Sequence, residues 1–151
     1  MNKKQLRNLV ERVLIALDLY TSSAAELVLG TIAQESQGGE YIRQIGGGPA
    51  LGICQMEPAT FRDIVDSCLR NKPELAKQVM SVAGVNALRS EYLEYNAALA
   101  IAMCRVHYLR VKEPIPGDLS SWAQYWKEHY NTRYGKGTTE EFISNYKKLV
   151  L

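Results

Sequence analysis

The chain has 151 residues, 46% of them apolar and 23% charged, with a net charge of +2. That balance is the composition of one soluble globular domain, residues 1–151, long enough to bury a substantial core. The charge is too small to point to nucleic acid, and no run of ~18 apolar residues is present to span a membrane.

Met1-Asn2-Lys3-Lys4 opens like the basic start of a signal peptide. Gln5, Arg7, Asn8, Glu11 and Arg12 then interrupt any apolar stretch, so no export signal is expected and synthesis is expected to end in the cytoplasm. Residues 3–19 read as a helix, with Leu6, Leu9, Val10, Val13, Leu14 and Leu17 on one stripe. After a turn at 20–22 a second helix is expected from Ser23, where Ser23 and Glu26 have the spacing of a capping box. Along it Leu27, Val28, Thr31, Ile32 and Glu35 share a face, and Gly38-Gly39 stop it. Glu35 therefore lies in line with apolar side chains. Burial disfavours the charged form, so its pKa is expected above the free value of ~4.3. A Glu in a last helical turn is more commonly a solvated residue at the negative end of the helix dipole, and this stretch alone does not decide between the two.

Residues 37–51, rich in glycine and carrying Pro49, have no period and read as a loop; a small β-hairpin would fit within 40–54. Pro58 is placed at the first position of the next helix, with Phe61, Ile64, Val65, Cys68 and Leu69 inward. Pro73 opens another helix through Val82. A long helix, about Glu91 to Val111, has small and apolar residues on several faces and is expected to be central. Its His107 reads as a core-edge or surface residue. Two prolines and Gly117 end it, and Asp118 caps a helix to about Tyr130. On that helix Trp122, Trp126 and Tyr130 form a stripe, read as core for the most part and otherwise as a platform for sugar rings. Asn131 to Gly137 is a loop, and Thr138 with Glu141 forms a capping box opening a last helix through Leu149. Cys54, Cys68 and Cys104 are odd in number and lack metal-ligand spacing, as do the two histidines. Free thiols, no metal and no cofactor are expected.

Four segments in order carry a resemblance: Glu35-Ser36-Gln37-Gly38-Gly39; Gly52-Ile53-Cys54-Gln55 with Pro58-Ala59-Thr60; Asn96-Ala97-Ala98-Leu99-Ala100; and His129-Tyr130-Asn131-Thr132. Together, over roughly residues 23–135, the chain resembles the lysozyme-like lytic transglycosylases, close to the goose-type lysozymes. In that family a Glu in an E-S-x-G/F setting ends one helix, a G-L-M-Q segment leads to P-x-T, an Asn opens a long helix, and A-Y-N-x-G follows. Ile53-Cys54 stand where the family has Leu-Met, Ala100 where its long helix has Gly, and Arg133 where a Gly follows A-Y-N. The resemblance implies an all-α, single-domain lysozyme-like fold of about seven helices. It implies cleavage of the β-1,4 bond between N-acetylmuramic acid and N-acetylglucosamine in peptidoglycan, closing a 1,6-anhydro end.

Glu35 would be the acid and then the base, with Tyr130 holding its carboxyl, and Ser36, Gln55, Met56 and Asn131 would line the cleft and hold acetamido groups. The alternatives are a hydrolytic muramidase and a non-catalytic peptidoglycan-binding module of a phage particle. A hydrolase needs a second carboxylate, for which Glu40, Glu57 and Glu128 are the local candidates. The expected partner is the peptidoglycan glycan strand, with nucleic acid and membrane excluded. A compact domain without export signal looks most like a phage-encoded wall-degrading protein, which adds other phage particle proteins as partners and the cell wall as its place of action.

Overall fold

Two helices have almost no polar side, and the rest of the chain wraps them. Ser22–Ser36 (α2) buries nearly every residue from Ala24 to Ala33, and Ala97–Leu109 (α5) buries Leu99 to Val106 together with Tyr108. A helix that is apolar all round belongs inside a protein. In the computed structural model, which describes residues 1–131 and 135–151, the remaining α-helices are Lys3–Ala16 (α1), Pro58–Ser67 (α3), Pro73–Ala83 (α4), Leu119–Trp126 (α6) and Thr139–Leu149 (α7). The described residues thus form seven α-helices and no strand, around one continuous apolar core. None of these helices is long and apolar enough to cross a membrane.

α2 is enclosed by α1, α5, α6 and α7. Its approach to α7 depends on Gly30, where an added Cβ would lie 2.3 Å from Cζ of the fully buried Phe142. Overpacking costs about 1–3 kcal/mol, while alanine returns roughly 1 kcal/mol over glycine in a helix. The rigid ring puts this site at the upper end. Gly30→Ala is therefore expected to destabilise by roughly 1–2 kcal/mol net, read as a fall of several degrees in a thermal melt.

Local capping chemistry sets most boundaries as expected. Asp118 accepts from Ser121 N at 3.0 Å, Thr138 Oγ1 accepts from Glu141 N at 3.1 Å, and Pro58 and Pro73 occupy first-turn positions.

Five boundaries differ, and the first is the end of α1, which stops at Ala16 and not at residue 19 because Asp18 turns left-handed (φ 56°). α2 is capped by Thr21, whose Oγ1 accepts from Ala24 N at 3.0 Å, and not by a Ser23–Glu26 box. Glu26 is drawn away by Arg7 of α1, bonded through both carboxylate oxygens, and by the Tyr146 hydroxyl of α7. Burial pushes the Glu26 carboxyl up, but the hydrogen bonds from Arg7 and Tyr146 outweigh it and hold it below the usual range. The left-handed residue ending α2 is Gln37, with the glycines following it. The expected long helix is two elements: a 3₁₀ turn at Ser90–Glu94, then α5. Asn96 separates them, accepting from Leu99 N and donating to the Ala83 carbonyl, both at 2.9 Å. The hairpin envisaged in 40–54 is not formed as strands; single bridges join Arg43 to Leu51 and Leu51 to Met56.

Candidate active site

Glu35 stands in the last turn of α2, where the buried helix meets the loop of residues 37–57. Its carboxyl is enclosed on most sides and partly open to a cleft of about 560 Å³. Trp126 Nε1, at the end of α6, donates to its Oε1 at 2.9 Å. Burial raises the pKa of Glu35 to about 7, against the opposing effect of the indole bond, which favours the carboxylate. A carboxyl with that pKa can hand over and take back a proton near neutrality. Tyr41, Gln44, Ile45, Pro49 and Gln55 line the cleft from the loop, and Tyr130, Asn131, Gly135 and Lys136 line it from the chain after α6. A smaller arm of about 230 Å³ continues past Gln55, Glu57, Tyr130 and Asn131 to Met56, Thr60, His107 and His129.

The loop is tied to α2 through Ser36. Its hydroxyl donates to the Ile53 carbonyl at 2.6 Å and accepts from Gly39 N at 2.9 Å. Ser36 is fully buried, so it does not contact anything in the cleft, contrary to the expectation that it lines it. It fixes the loop whose other residues line the cleft. Gln44 and Ala50 close the loop's neck: Gln44 N donates to the Ala50 carbonyl at 3.1 Å, and Ala50 N to Gln44 Oε1 at 3.0 Å. Arg43 is paired with Glu94 of the 3₁₀ turn.

Gln55 lines both arms from a left-handed backbone (φ 49°), a conformation that side chains adopt at a cost. Its side-chain nitrogen and its backbone N–H both donate to the Gly52 carbonyl, at 2.9 and 3.0 Å. The side-chain oxygen and the second amide N–H are the groups left for a ligand. Met56 is buried and lines only the smaller arm.

α6 passes into a π-helical turn, Lys127–Asn131, which carries the remaining expected residues. Such turns recur at functional sites. Lys127 Nζ donates to Asn131 Oδ1, Gly137 O and Gly135 O, at 2.7, 2.7 and 2.9 Å, holding Asn131 at the cleft. Thr132 and Arg133, which complete the last segment of the resemblance, lie outside the described residues.

Tyr130 corrects the sequence reading. Its hydroxyl donates to the Cys54 carbonyl at 2.6 Å and makes no bond to Glu35. The ring packs on His107 and Tyr108, with centroids at 5.1 and 5.4 Å. The phenol thus braces the loop, and the acid's partner is Trp126. Removing one member of such a bond leaves a shielded carbonyl unsatisfied, at a cost of about 1–3 kcal/mol. Tyr130→Phe is expected to lower the melting temperature by several degrees while the pKa of Glu35 stays near 7. A silent melt with a shifted acid would restore the reading drawn from sequence.

Trp126 was read as core or sugar platform. It is core, fully buried against Phe142 with centroids 5.4 Å apart, but its N–H is also the group that meets the acid. A buried indole needs an acceptor, but nothing within α6 shows where that acceptor lies. Trp122 donates to the Pro116 carbonyl at 2.6 Å and packs on Tyr146, so it belongs to the core as well. His107 is half-buried, its Nδ1 2.9 Å from Arg110 Nη2. Burial, with help from the Arg110 charge, lowers its pKa to about 4, so it is neutral at physiological pH.

The three cysteines are free and buried. The Cys54 thiol is pushed well up, first by its contact with the Cys104 thiol and then by burial, which leaves it unreactive. Among the described residues no three His, Cys, Asp or Glu side chains converge as a metal site. No protein-family model, curated protein or solved structure matches the chain.

Proposed function

We propose that this protein is a peptidoglycan lytic transglycosylase with a lysozyme-like fold. The observation that carries the reading is a shielded carboxyl, Glu35, with its pKa raised to about 7 at the side of an open cleft. The lining suits a polymer of N-acetylated sugars. Tyr41, Ile45 and Pro49 offer apolar surface to pyranose C–H faces. Gln44, Gln55 and Asn131 offer amide groups of the kind that pair with acetamido substituents.

In this reading protonated Glu35 gives its proton to the glycosidic oxygen as the bond from C1 breaks. The resulting carboxylate then takes the proton of the muramoyl 6-hydroxyl, whose oxygen bonds to C1. One bond to C1 is exchanged for another, no water is consumed, and Glu35 ends protonated for the next cycle. A carboxyl that titrates near neutrality serves both halves equally, since its proton is neither too tightly nor too loosely held. The test is mass spectrometry of purified peptidoglycan after digestion. Anhydro-ended fragments are the expected product. A wall preparation left intact would remove the enzymatic reading and leave a binding module.

A further inference from the structure

His107 lines the smaller arm and is one link in a chain of hydrogen bonds that crosses three elements. The chain starts on α3, where Asp63 Oδ1 accepts from Ser67 Oγ at 3.0 Å and Oδ2 accepts from Arg110 Nη1 at 2.8 Å. Arg110, at the end of α5, presents Nη2 to His107 Nδ1 at 2.9 Å. Arginine has donors only, so Nδ1 must accept and the ring proton must sit on Nε2. The His129 carbonyl meets the ring and favours its proton, so it is the acceptor for that N–H. His129 belongs to the π-helical turn after α6, and carbonyls in a last helical turn lack donors within the helix. The His107 ring also packs edge-on against Tyr130, centroids 5.1 Å apart and planes at 77°. Arg110 Nε, by contrast, is buried and meets no acceptor among the described residues. A buried donor left unpaired is costly. The guanidinium is turned to reach Asp63 and His107 in spite of that cost.

We propose that His107 is a positioning residue, which in its Nε2–H form anchors the π-helical turn and so sets Tyr130 and Asn131 at the cleft. That role rests on the cleft holding a glycan strand as proposed above. Asp63 orients Arg110, Arg110 fixes the tautomer of His107, and His107 holds the carbonyl just before Tyr130 and Asn131. Lys127 Nζ holds Asn131 from the other side at 2.7 Å. Trp126, the partner of Glu35, stands before the turn. Loss of the anchor should therefore weaken strand binding and leave the proton transfer at Glu35 as it is.

The experiment compares His107→Gln, His107→Asn and His107→Phe with wild type for KM and kcat on soluble glycan strands, with a melt on each. Gln puts its amide nitrogen near the place of Nε2 and can still donate to the His129 carbonyl. Asn puts an acceptor near the place of Nδ1 but is too short for that carbonyl, and Phe keeps the shape with neither group. Gln is expected to stay closest to wild type, while Asn and Phe raise KM about tenfold, the worth of one lost hydrogen bond, with kcat within about twofold. A histidine that only fills space gives the reverse order, because Phe preserves the packing best, and it moves the melt without moving KM. Nitrogen-15 NMR at about pH 7 reads the tautomer, the resonance missing from His107→Gln identifying the residue. A proton on Nε2 and none on Nδ1 is expected. A proton on Nδ1, a Phe variant with the KM of wild type, or a Gln variant no better than Phe overturns this proposal while wild type still cuts strands. A wild type that cuts no strands overturns the proposed reaction and this role with it.

Discussion

Glu35→Gln is expected to reduce wall lysis by about 10²–10⁴-fold, the loss that follows removal of a required general acid. The amide keeps the shape and can still accept from Trp126, so the fold should survive. Stability should move in a defined direction. The folded pKa of Glu35, about 7, lies above its ordinary value of 4.5. Between those values the native protein holds a proton that the unfolded chain has released, so stability falls as pH rises through this window. Below pH 4.5 both states are protonated and nothing is lost. Above pH 7 the full difference applies, on the order of 3 kcal/mol at 1.36 kcal/mol per pH unit. The neutral variant escapes that loss. Its melting temperature should match wild type near pH 4 and exceed it by several degrees at pH 8. Wild-type lysis should in turn decline above pH 7 as the acid loses its proton. Lysis rate and melts across this range are the measurements, and a variant retaining a tenth of the activity would take Glu35 out of its role.

Gly52→Ala is expected to have the largest effect on stability. The residue has φ 80°, and an added Cβ would lie 2.1 Å from the Leu93 carbonyl oxygen and 3.5 Å from Cβ of Ala100. The nearest obstacle is backbone, which cannot swing away as a side-chain tip can. A left-handed non-glycine residue costs roughly 1–2 kcal/mol and overpacking about 1–3 kcal/mol, together about 2–5 kcal/mol. For a domain of this size that is a drop on the order of ten degrees in Tm. Gly52 also donates to the Ile42 carbonyl at 2.7 Å and accepts both Gln55 donors, so the loop that presents Gln55 would shift with it. Lysis measured well below the variant's melt should therefore fall as well. An alanine variant with an unchanged melt would mean that α5 and the 3₁₀ turn yield easily, and that the cleft floor is not held where it stands.

What could be read from the sequence was local. Asp118, Thr138, Pro58 and Pro73 set helix starts through atoms a few residues away, and those starts hold. The stripe of α1 and the all-round apolar character of α5 followed from periodicity in the same way. Thr21 displaced Ser23 as a cap because Glu26 had better partners in α1 and α7, 19 and 120 residues distant. The apolar pattern ran on through Asn96, and the break there is made by its local cap of Leu99 N together with its distant bond to the Ala83 carbonyl. At the site, Glu35 was visible because its neighbours on one helix face are apolar. The indole that holds it is 91 residues away, and nothing within α6 tells Trp126 from a plain core residue. Ser36 and Tyr130 were expected to meet the cleft and the acid. Both hydroxyls instead satisfy carbonyls of the loop, at Ile53 and Cys54, because a shielded backbone carbonyl demands a donor.

The mechanism rests on a proton that stays on Glu35 near neutral pH, and carbon-13 NMR of the glutamate carboxyls observes it directly. The resonance absent from spectra of Glu35→Gln identifies the residue, and its shift is followed from pH 3 to 9 in wild type. A midpoint near 7 is the predicted result. A midpoint near 4.5 would mean an ordinary carboxylate, already ionised where the proposed reaction needs an acid, and would contradict the account.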